Sequence, residues 1–144
     1  LIPFIASCAI QVSDSISSSS YSSAESDEYI SAEKLETNLE DLIYFEFDKA
    51  SLSSDSKTLI SKYVKFAKNA KAIRLEGHCD ERGTREYNLA LGEKRAIEVK
   101  NYLIIKGVSS SKIKVISYGE DKPIDINSSE SAWKNMRRVE ISLF

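Results

Sequence analysis

Residues 72–78 read AIRLEGH, and this stretch decides the fold because apolar or small residues alternate with polar ones. The first set is Ile73, Leu75 and Gly77, and the second set is Arg74, Glu76 and His78. Successive side chains of a strand point to opposite faces of its sheet, so the pattern predicts a strand with one buried face and one wet face. A parallel sheet that helices cover on both sides would not tolerate the polar set, so the helices are expected on one face only.

The segments around this strand predict three further strands and two long helices. The strands are predicted at residues 42–48, 72–78, 112–119 and 137–144, and the helices at residues 53–69 and 84–106. Thr84 is a candidate N-cap of the second helix, and Gly107 can supply its left-handed stop. Gly92 costs about 1 kcal/mol inside this helix relative to alanine, which indicates close packing against the sheet. We expect an α/β (α+β) fold, a two-layer sandwich in which a mixed sheet of about four strands carries helices on one face.

Length and charge limit the classes of function. A chain of 144 residues holds one ordinary domain plus some excess. Its formal net charge of -2 provides no basic field of the kind that neutralises phosphates, so nucleic acid is not expected as a partner. The two cysteines, Cys8 and Cys79, lie in different surroundings and do not define a disulfide framework.

The N-terminal part predicts a lipid anchor followed by a tether. Residues 5–8 read IASC after apolar residues and resemble the lipobox of bacterial lipoproteins, whose cysteine is lipidated. On this interpretation residues 1–8 are the end of a signal peptide and Cys8 carries acyl chains, whereas the alternative is a buried cysteine in a short apolar strand. Residues 9–40 are serine-rich and predict a disordered, flexible tether, with a weak helical pattern over residues 31–42. The folded domain is expected at residues 41–144.

Residues 77–96, GHCDERGTREYNLALGEKRA, contain the only histidine and a high density of charge. His78 and Cys79 are adjacent at a strand end and therefore point to opposite faces, so they cannot easily share a metal ion or act as base and nucleophile. The acids nearby lie among Arg82 and Arg85, which hold carboxylates ionised and disfavour general-acid catalysis. We therefore expect no enzyme, no catalytic residue, no metal and no cofactor, and we interpret Cys79 as a structural residue that faces inward.

The same stretch suits the binding of a charged group. Asp80 follows the strand end, and Arg95 lies at the border of the apolar stripe on the second helix. An arginine at such a border is partly desolvated, where a bidentate contact with a carboxylate is strongest. Asp80 and Arg95 can therefore hold a small zwitterion by both ends, or they can form an ion pair with each other.

Four blocks of the chain resemble the OmpA-like peptidoglycan-binding domain family, and within it the peptidoglycan-associated lipoproteins of Gram-negative bacteria, called Pal. The blocks are YFEFDKASL at residues 44–52, EGHCDERGTREYNLALGEKRA at 76–96, ISYGEDKP at 116–123 and RRVEI at 137–141. The resemblance covers residues 42–144. It implies non-catalytic binding of the peptidoglycan stem peptide, with Asp80 and Arg95 holding the side-chain ammonium and carboxylate of its diaminopimelate.

The resemblance also implies supporting contacts in the binding site. They are Phe47, Asp48, Arg82, Thr84, Asn88, Leu89 and Arg137. Three of these residues have a purely structural alternative, since Thr84 fits an N-cap, Leu89 fits the core stripe and Asp48 fits a turn. Met136 stands where the family usually has an asparagine, directly before the arginine pair, so the chain departs from the family pattern there.

Two functions follow from the resemblance. The first is that of an outer-membrane lipoprotein, facing the periplasm, that tethers this membrane to peptidoglycan. It would belong to the Tol-Pal system and support envelope integrity and cell division. The alternative is a protein-interaction module whose main role is docking the periplasmic Tol propeller protein, through much the same surface.

Overall fold

A mixed sheet of four strands is the centre of the computed structural model, which describes residues 41–144. The strands are β1 Leu42–Tyr44, β2 Ile73–His78, β3 Ile113–Gly119 and β4 Arg138–Leu143, and their order across the sheet is β1-β4-β2-β3. β2 pairs with β3 in parallel, whereas β4 pairs antiparallel with β1 and with β2. The last strand of the chain therefore lies between the first two, and residues from both ends of the domain meet beside it.

Three α-helices occur within the described residues, α1 Ser54–Asn69, α2 Arg85–Ile105 and α3 Glu130–Met136. The Ser53 hydroxyl caps α1 by accepting from the Ser56 N–H at 3.1 Å. Thr84 caps α2 by accepting from the Tyr87 N–H at 3.1 Å, which confirms the predicted N-cap. Gly107 has a φ of +98° and follows the end of α2, which confirms the predicted stop.

α1 and α2 pack with one face of the sheet in a single hydrophobic core. The sheet register places Ile43 beside Val139, and Leu75 beside Ile141 and Val115, on this face. Helix residues that complete the core, each without measurable exposure, are Ile60, Tyr63, Ala67, Ala96, Val99 and Leu103. The predicted two-layer sandwich with a mixed four-stranded sheet is thus confirmed.

The backbones of β2 and α2 are in direct contact where Gly77 faces Gly92. A Cβ atom on Gly77 would lie 1.9 Å from the carbonyl oxygen of Gly92, and a Cβ atom on Gly92 would lie 2.4 Å from Ser117 Oγ. The close packing predicted for Gly92 is therefore present. It brings the first turns of α2 to the loop that follows β2.

The second face of the sheet is polar, but not all of its side chains are exposed to solvent. His78 is 1% exposed and Arg138 is 2% exposed. The segment after β3 folds back over them, since Arg138 Nη2 donates to the Lys122 carbonyl at 3.5 Å and the Lys122 ammonium lies 3.7 Å from the centre of the Tyr118 ring. The prediction of a wet outer face is wrong at this end of the sheet.

β1 and α3 differ from the sequence prediction. β1 ends at Tyr44 and not at residue 48, because the chain then turns. In this turn the Lys49 N–H donates to the Glu46 carbonyl at 3.3 Å, and Asp48 has a φ of +57°. Helix α3 has only seven residues, which are too few to show a helical repeat in the sequence.

Several predictions concern residues outside the described part of the chain. They are the signal-peptide end at residues 1–8 with lipidated Cys8, the tether at residues 9–40, and most of the weak helical pattern at residues 31–42. Among residues 41–144, none of the helices combines the length and the apolar character that crossing a membrane requires.

Candidate functional site

A cavity of about 220 Å³ opens where the loops after β1 and β2 meet the first turns of α2. Its lining residues are Phe47, Asp48, Cys79, Asp80, Arg82, Gly83, Tyr87, Asn88, Leu91 and Arg95. Carboxylates, guanidinium groups and aromatic rings share this lining. The cavity can therefore receive a small ligand that carries both a positive and a negative charge.

Asp80 is the buried acid of the cavity, and its side chain is 4% exposed. Its Oδ1 accepts from the backbone N–H and the Nε of Arg82 at 3.1 and 3.0 Å, and its Oδ2 accepts from Arg82 Nη2 at 2.8 Å. Arg137 Nη1 lies 3.5 Å from Oδ2. Burial raises the pKa of Asp80, but the hydrogen bonds from Arg82 and Arg137 outweigh burial and hold this pKa below its ordinary value. Asp80 is therefore an ionised carboxylate at neutral pH.

The Arg82 guanidinium is in contact with two aromatic rings. It is 3.9 Å from the centre of the Phe47 ring and 4.2 Å from the centre of the Trp133 ring. Trp133 belongs to α3, and its Nε1 donates to Glu81 Oε1 at 3.1 Å. Cation–π contacts with both rings thus add to the ion pair that Arg82 makes with Asp80.

Arg95 is 1% exposed, whereas the sequence predicts a partly desolvated head at the border of the apolar stripe. Its Nε donates to the Lys49 carbonyl at 2.8 Å, its Nη1 to the His78 carbonyl at 2.9 Å, and its Nη2 to the Glu46 carbonyl at 3.0 Å. Nη1 also donates to Cys79 Sγ at 3.4 Å. A guanidinium has five N–H groups. Within residues 41–144 these contacts leave one N–H, on Nη2, without an assigned acceptor.

Asp80 and Arg95 do not form an ion pair with each other in the part of the chain that the structure describes. The ion-pair partners of Asp80 are Arg82 and Arg137. Arg95 instead binds loop carbonyls. The two charges are therefore held in place separately, and the alternative of a simple mutual ion pair does not describe this arrangement.

Asn88 fixes the loop that follows β2. Its Nδ2 donates to the carbonyls of Asp80 and Arg82 at 3.2 and 3.1 Å, and to Glu120 Oε2 at 2.8 Å. Asn88 is 2% exposed, so these contacts are shielded from water. Asn88 of α2 thus binds the loop that carries Asp80 and also binds Glu120 in the segment after β3.

Asp48 both closes the turn after β1 and lines the cavity. Its Oδ1 accepts from the Tyr87 hydroxyl, which joins this turn to the first turn of α2. Asp48 is therefore both a turn residue and a residue of the cavity lining.

The structure brings most of the predicted site residues to one place. Those that line the cavity are Phe47, Asp48, Asp80, Arg82, Asn88 and Arg95. Arg137 is buried next to Asp80 but is not part of the lining. Thr84 serves as the N-cap of α2, and Leu89 is half-buried with its carbonyl accepting from Ser117 Oγ at 2.6 Å, so neither lines the cavity.

Tyr87 and Leu91 line the cavity without having been predicted as site residues. They precede Arg95 on α2 at steps of four residues, and such a spacing places side chains on one face of a helix. The sequence therefore contained a signal for both residues, through their spacing from Arg95.

Met136 takes part in a structural contact. It is 4% exposed, and its Sδ accepts from the Ile124 N–H at 3.3 Å. The neighbouring Asn135 is exposed. Met136 does not line the cavity, so the departure from the family pattern at this position lies outside the cavity itself.

His78 and Cys79 point to opposite faces of the sheet, as predicted. The His78 ring stacks on the Tyr118 ring with their centroids 5.5 Å apart, whereas Cys79 Sγ donates to the Asn88 carbonyl at 3.3 Å. Burial raises the pKa of the Cys79 thiol to about 11, although the Arg95 guanidinium acts in the other direction. A neutral thiol that faces away from the imidazole is a poor nucleophile and a poor metal ligand.

Comparisons with known proteins agree with this geometry. The model of the OmpA family matches residues 44–137. A peptidoglycan-associated lipoprotein from Mesorhizobium japonicum is 42% identical over 115 residues, which cover 78% of this chain and 68% of that protein. A protein of the same name from Pseudomonas putida is 43% identical over 99 residues, which cover 68% of this chain and 60% of that protein.

A solved structure shows the same fold. The crystal structure of the peptidoglycan-associated lipoprotein from Burkholderia pseudomallei has a TM-score of 0.70 and 34% sequence identity, and the match covers 73% of this chain and 91% of that one. The family match spans every residue that lines the cavity. By fold and by sequence, this chain belongs to the OmpA family.

Proposed function

We propose that this chain binds the stem peptide of peptidoglycan in the cavity and catalyses no reaction on it. The observation that carries the proposal is the meeting of a buried, ionised Asp80 and a buried Arg95 in one open cavity. The name shared by the relatives, peptidoglycan-associated lipoprotein, supports this class of ligand.

The chemistry of diaminopimelate fits the two charges. In this proposal its side-chain carboxylate accepts from the remaining N–H of Arg95, and its ammonium approaches Asp80. The backbone contacts of Arg95 hold the guanidinium in place before the ligand arrives, which lowers the entropic cost of binding. Both oxygens of Asp80 already accept from Arg82, so the ammonium must share the carboxylate with that guanidinium or displace it.

The other proposed binding residues form two groups, those in the cavity lining and those behind it. Phe47, Asp48, Arg82 and Asn88 line the cavity and are proposed as direct contacts. Arg137, Thr84 and Leu89 are proposed to act from behind the lining, by holding Asp80 and the start of α2.

A pull-down on purified peptidoglycan sacculi tests the proposal. Asp80→Asn removes the negative charge, and Phe47→Ala removes a ring that is 52% exposed, so the latter change should hardly affect the fold. A contact with a charged group contributes about 1.5 to 3 kcal/mol, and the ligand must share Asp80 with Arg82 or displace Arg82, so Asp80→Asn should weaken binding about 10-fold, at the lower end of this range. Phe47→Ala should weaken it less.

Glu86→Gln is the matched control, because it removes one negative charge from an exposed position at the start of α2, outside the cavity lining. It should bind sacculi like the parent chain. Melting temperatures of all variants are measured in parallel, so that loss of binding is not confused with loss of folding. Full binding by both Asp80→Asn and Phe47→Ala would overturn the proposal.

We propose further that Cys8 is lipidated and anchors the chain in the outer membrane, with the domain facing the periplasm. The IASC motif and the serine-rich residues after it support an anchor followed by a tether. Bound to peptidoglycan, such a chain would link membrane and wall as part of the Tol-Pal system and so support envelope integrity and cell division. Labelled palmitate should enter the parent chain and Cys79→Ser, but not Cys8→Ser; incorporation into Cys8→Ser would exclude this anchor.

Docking of the periplasmic Tol propeller protein is the second candidate function. Exposed aromatic rings of the cavity lining favour it, since Phe47 is 52% and Tyr87 50% exposed. If this partner covers the same rim, a soluble stem peptide should compete with it for the chain. Independent saturation by the two ligands would assign them to separate sites.

A further inference from the structure

We propose that Glu76, His78 and Glu140 form a site for a divalent transition-metal ion, with Zn²⁺ as the probe, on the face of the sheet opposite α1 and α2. One ligand atom from each of the three side chains lies within 4.8 Å of the others. This site is separate from the cavity and does not depend on the proposed binding of peptidoglycan.

The sheet register creates the cluster. Glu76 and His78 are two residues apart on β2 and therefore lie on the same face. Glu140 of β4 is the direct cross-strand partner of Glu76. Residues on neighbouring strands at such positions have their Cβ atoms about 5 Å apart, so all three side chains reach a common point.

His78 is the observation that points to a ligand. It is 1% exposed, and within the described residues neither of its ring nitrogens has a hydrogen-bond partner. Its Nε2 lies 3.9 Å from Glu140 Oε2, which is too far for a hydrogen bond. Buried polar groups in folded proteins are almost always paired, so the ring nitrogens are available to an ion bound between the imidazole and this carboxylate.

Each of the two carboxylates lies beside a guanidinium group. Glu76 Oε1 lies 2.9 Å from Arg74 Nε, and Glu140 Oε1 accepts from Arg138 Nε at 2.9 Å. The second oxygen of Glu140, Oε2, is the one that faces His78. The hydrogen bond from Arg138 orients Glu140 in the way that outer partners orient metal ligands in known sites. Arg74 is close to Glu76, but among the described residues its Nε donates no hydrogen bond.

One imidazole nitrogen and two carboxylate oxygens suit a borderline ion such as Zn²⁺ better than Mg²⁺ or Ca²⁺, which prefer oxygen ligands alone. Zinc binds these atoms at about 2.0 to 2.2 Å and would leave a fourth position for water. The three ligand atoms would have to move closer together around the ion. Glu140 can provide much of this movement, because its side chain is 33% exposed.

The single histidine makes the test direct, because its imidazole NMR signals need no assignment among several rings. The full chain is treated with EDTA, dialysed, and titrated with ZnCl₂ or MgCl₂. We expect saturation at one zinc ion per chain, a shift of the imidazole signals at that ratio, and a higher melting temperature with zinc but not with magnesium. In a Cys8→Ser background, Co²⁺ in place of zinc should show no thiolate charge-transfer band, since Cys79 faces the other side of the sheet.

Variants test the ligands one by one. His78→Gln and Glu140→Gln should each lower the zinc affinity at least about 100-fold, since even the loss of an outer partner costs 10- to 100-fold. Glu98→Gln, at an exposed position on α2, and Asp80→Asn, in the cavity, should retain the parent affinity. Parent-like zinc affinity in Asp80→Asn would also show that the metal site is distinct from the cavity proposed to bind peptidoglycan.

Two results would overturn the proposal. One is an imidazole spectrum of the parent chain that zinc leaves unchanged, which would indicate that water fills the gap beside His78. The other is equal zinc affinity in the parent, His78→Gln and Glu140→Gln, which would place the ion elsewhere. Circular dichroism in EDTA shows whether each variant is folded, and the spectrum of the parent chain decides the question even if one variant is not.

Discussion

Arg82 forms a bidentate ion pair with Asp80, with Nε 3.0 Å from Oδ1 and Nη2 2.8 Å from Oδ2. The rings of Phe47 and Trp133 both contact the same guanidinium. The acid proposed to receive the ligand's ammonium is thus already neutralised from within the chain. Binding at this point is an exchange of cations, and its net free energy is smaller than the strength of the new contact alone.

Arg82→Met tests how strongly this pair acts on Asp80. Methionine keeps an apolar side chain of similar length beside the two rings but removes the donors. We expect the pKa of Asp80 to rise towards its ordinary range and the free energy of unfolding at pH 7 to fall by about 1.5 to 3 kcal/mol. The pKa is measured by carbon-13 titration of the carboxyl signal, and the free energy by urea unfolding.

The pH dependence of the same variant has a definite sign. A carboxyl whose pKa is lower in the folded chain stabilises the fold above its unfolded pKa of about 3.9, and this contribution is lost as the pH falls towards the folded pKa. The stability difference between the parent and Arg82→Met should therefore narrow below about pH 4. Arg85→Met, which breaks the exposed pair with Asp121, should leave the pKa of Asp80 unchanged. An unchanged pKa in Arg82→Met would mean that Arg137 controls this carboxyl.

Arg95→Ala is expected to destabilise the fold as well as the site. The change removes the donor from three backbone carbonyls, those of Glu46, Lys49 and His78. Unpaired buried acceptors cost about 1 to 3 kcal/mol each, and two of these contacts are only partly buried, so we expect a loss of about 3 kcal/mol in urea unfolding.

Two further variants sharpen this prediction. Lys94→Ala removes a cation from the adjacent, exposed position on α2 and should change the stability by less than about 0.5 kcal/mol. Arg95→Lys keeps the charge, but a single ammonium cannot span the same carbonyls, so its stability should be intermediate. If Arg95→Ala melts like the parent chain, the carbonyl contacts contribute little. Arg95 would then contribute mainly to ligand binding.

Most of the fold followed from local patterns. The alternation in residues 72–78 predicted β2 and its inward face, and the N-cap at Thr84 and the stop at Gly107 predicted the bounds of α2. These signals depend only on residues a few positions apart, so they are visible in the sequence. The position of Asp80, two residues after the end of β2, was visible in the same way.

The environment of the site residues did not follow from local patterns. Arg95 is buried because carbonyls of the turn after β1, about 46 to 49 positions earlier, close around it. His78 faces Glu140 because β4 lies between β1 and β2, an order that no local spacing reveals. The cap over Arg82 comes from Trp133 on α3, whose seven residues show no repeat. Contacts between distant segments thus account for the difference between prediction and structure.

Gly77→Ala should destabilise the fold far more than an alanine in a strand normally does. Its Cβ atom would lie 1.9 Å from the carbonyl oxygen of Gly92, and backbone cannot move aside as a side chain can. We expect a loss of about 3 kcal/mol or more in urea unfolding, at the upper end of the usual cost of overpacking.

Gly92→Ala offers a graded comparison. Its Cβ atom would meet the Ser117 hydroxyl at 2.4 Å, and alanine would gain about 1 kcal/mol of helix propensity. The single change should still destabilise, whereas Gly92→Ala combined with Ser117→Ala should recover part of the loss, a coupling that a double-mutant cycle measures. Additive effects of the two changes would show that the hydroxyl is not the obstacle.

Cys79 should be inert towards alkylation in the folded chain. It is 2% exposed, and burial raises its pKa to about 11, so roughly one thiol in a thousand is ionised at pH 8. In a Cys8→Ser background, iodoacetamide at pH 8 should modify Cys79 only after urea is added. Ser54→Cys in the same background provides an exposed thiol at the start of α1 that should react at once, and mass spectrometry separates the two sites. Equal rates at Cys79 with and without urea would mean that the loop carrying Asp80 opens readily, and the cavity would then not be a preformed site.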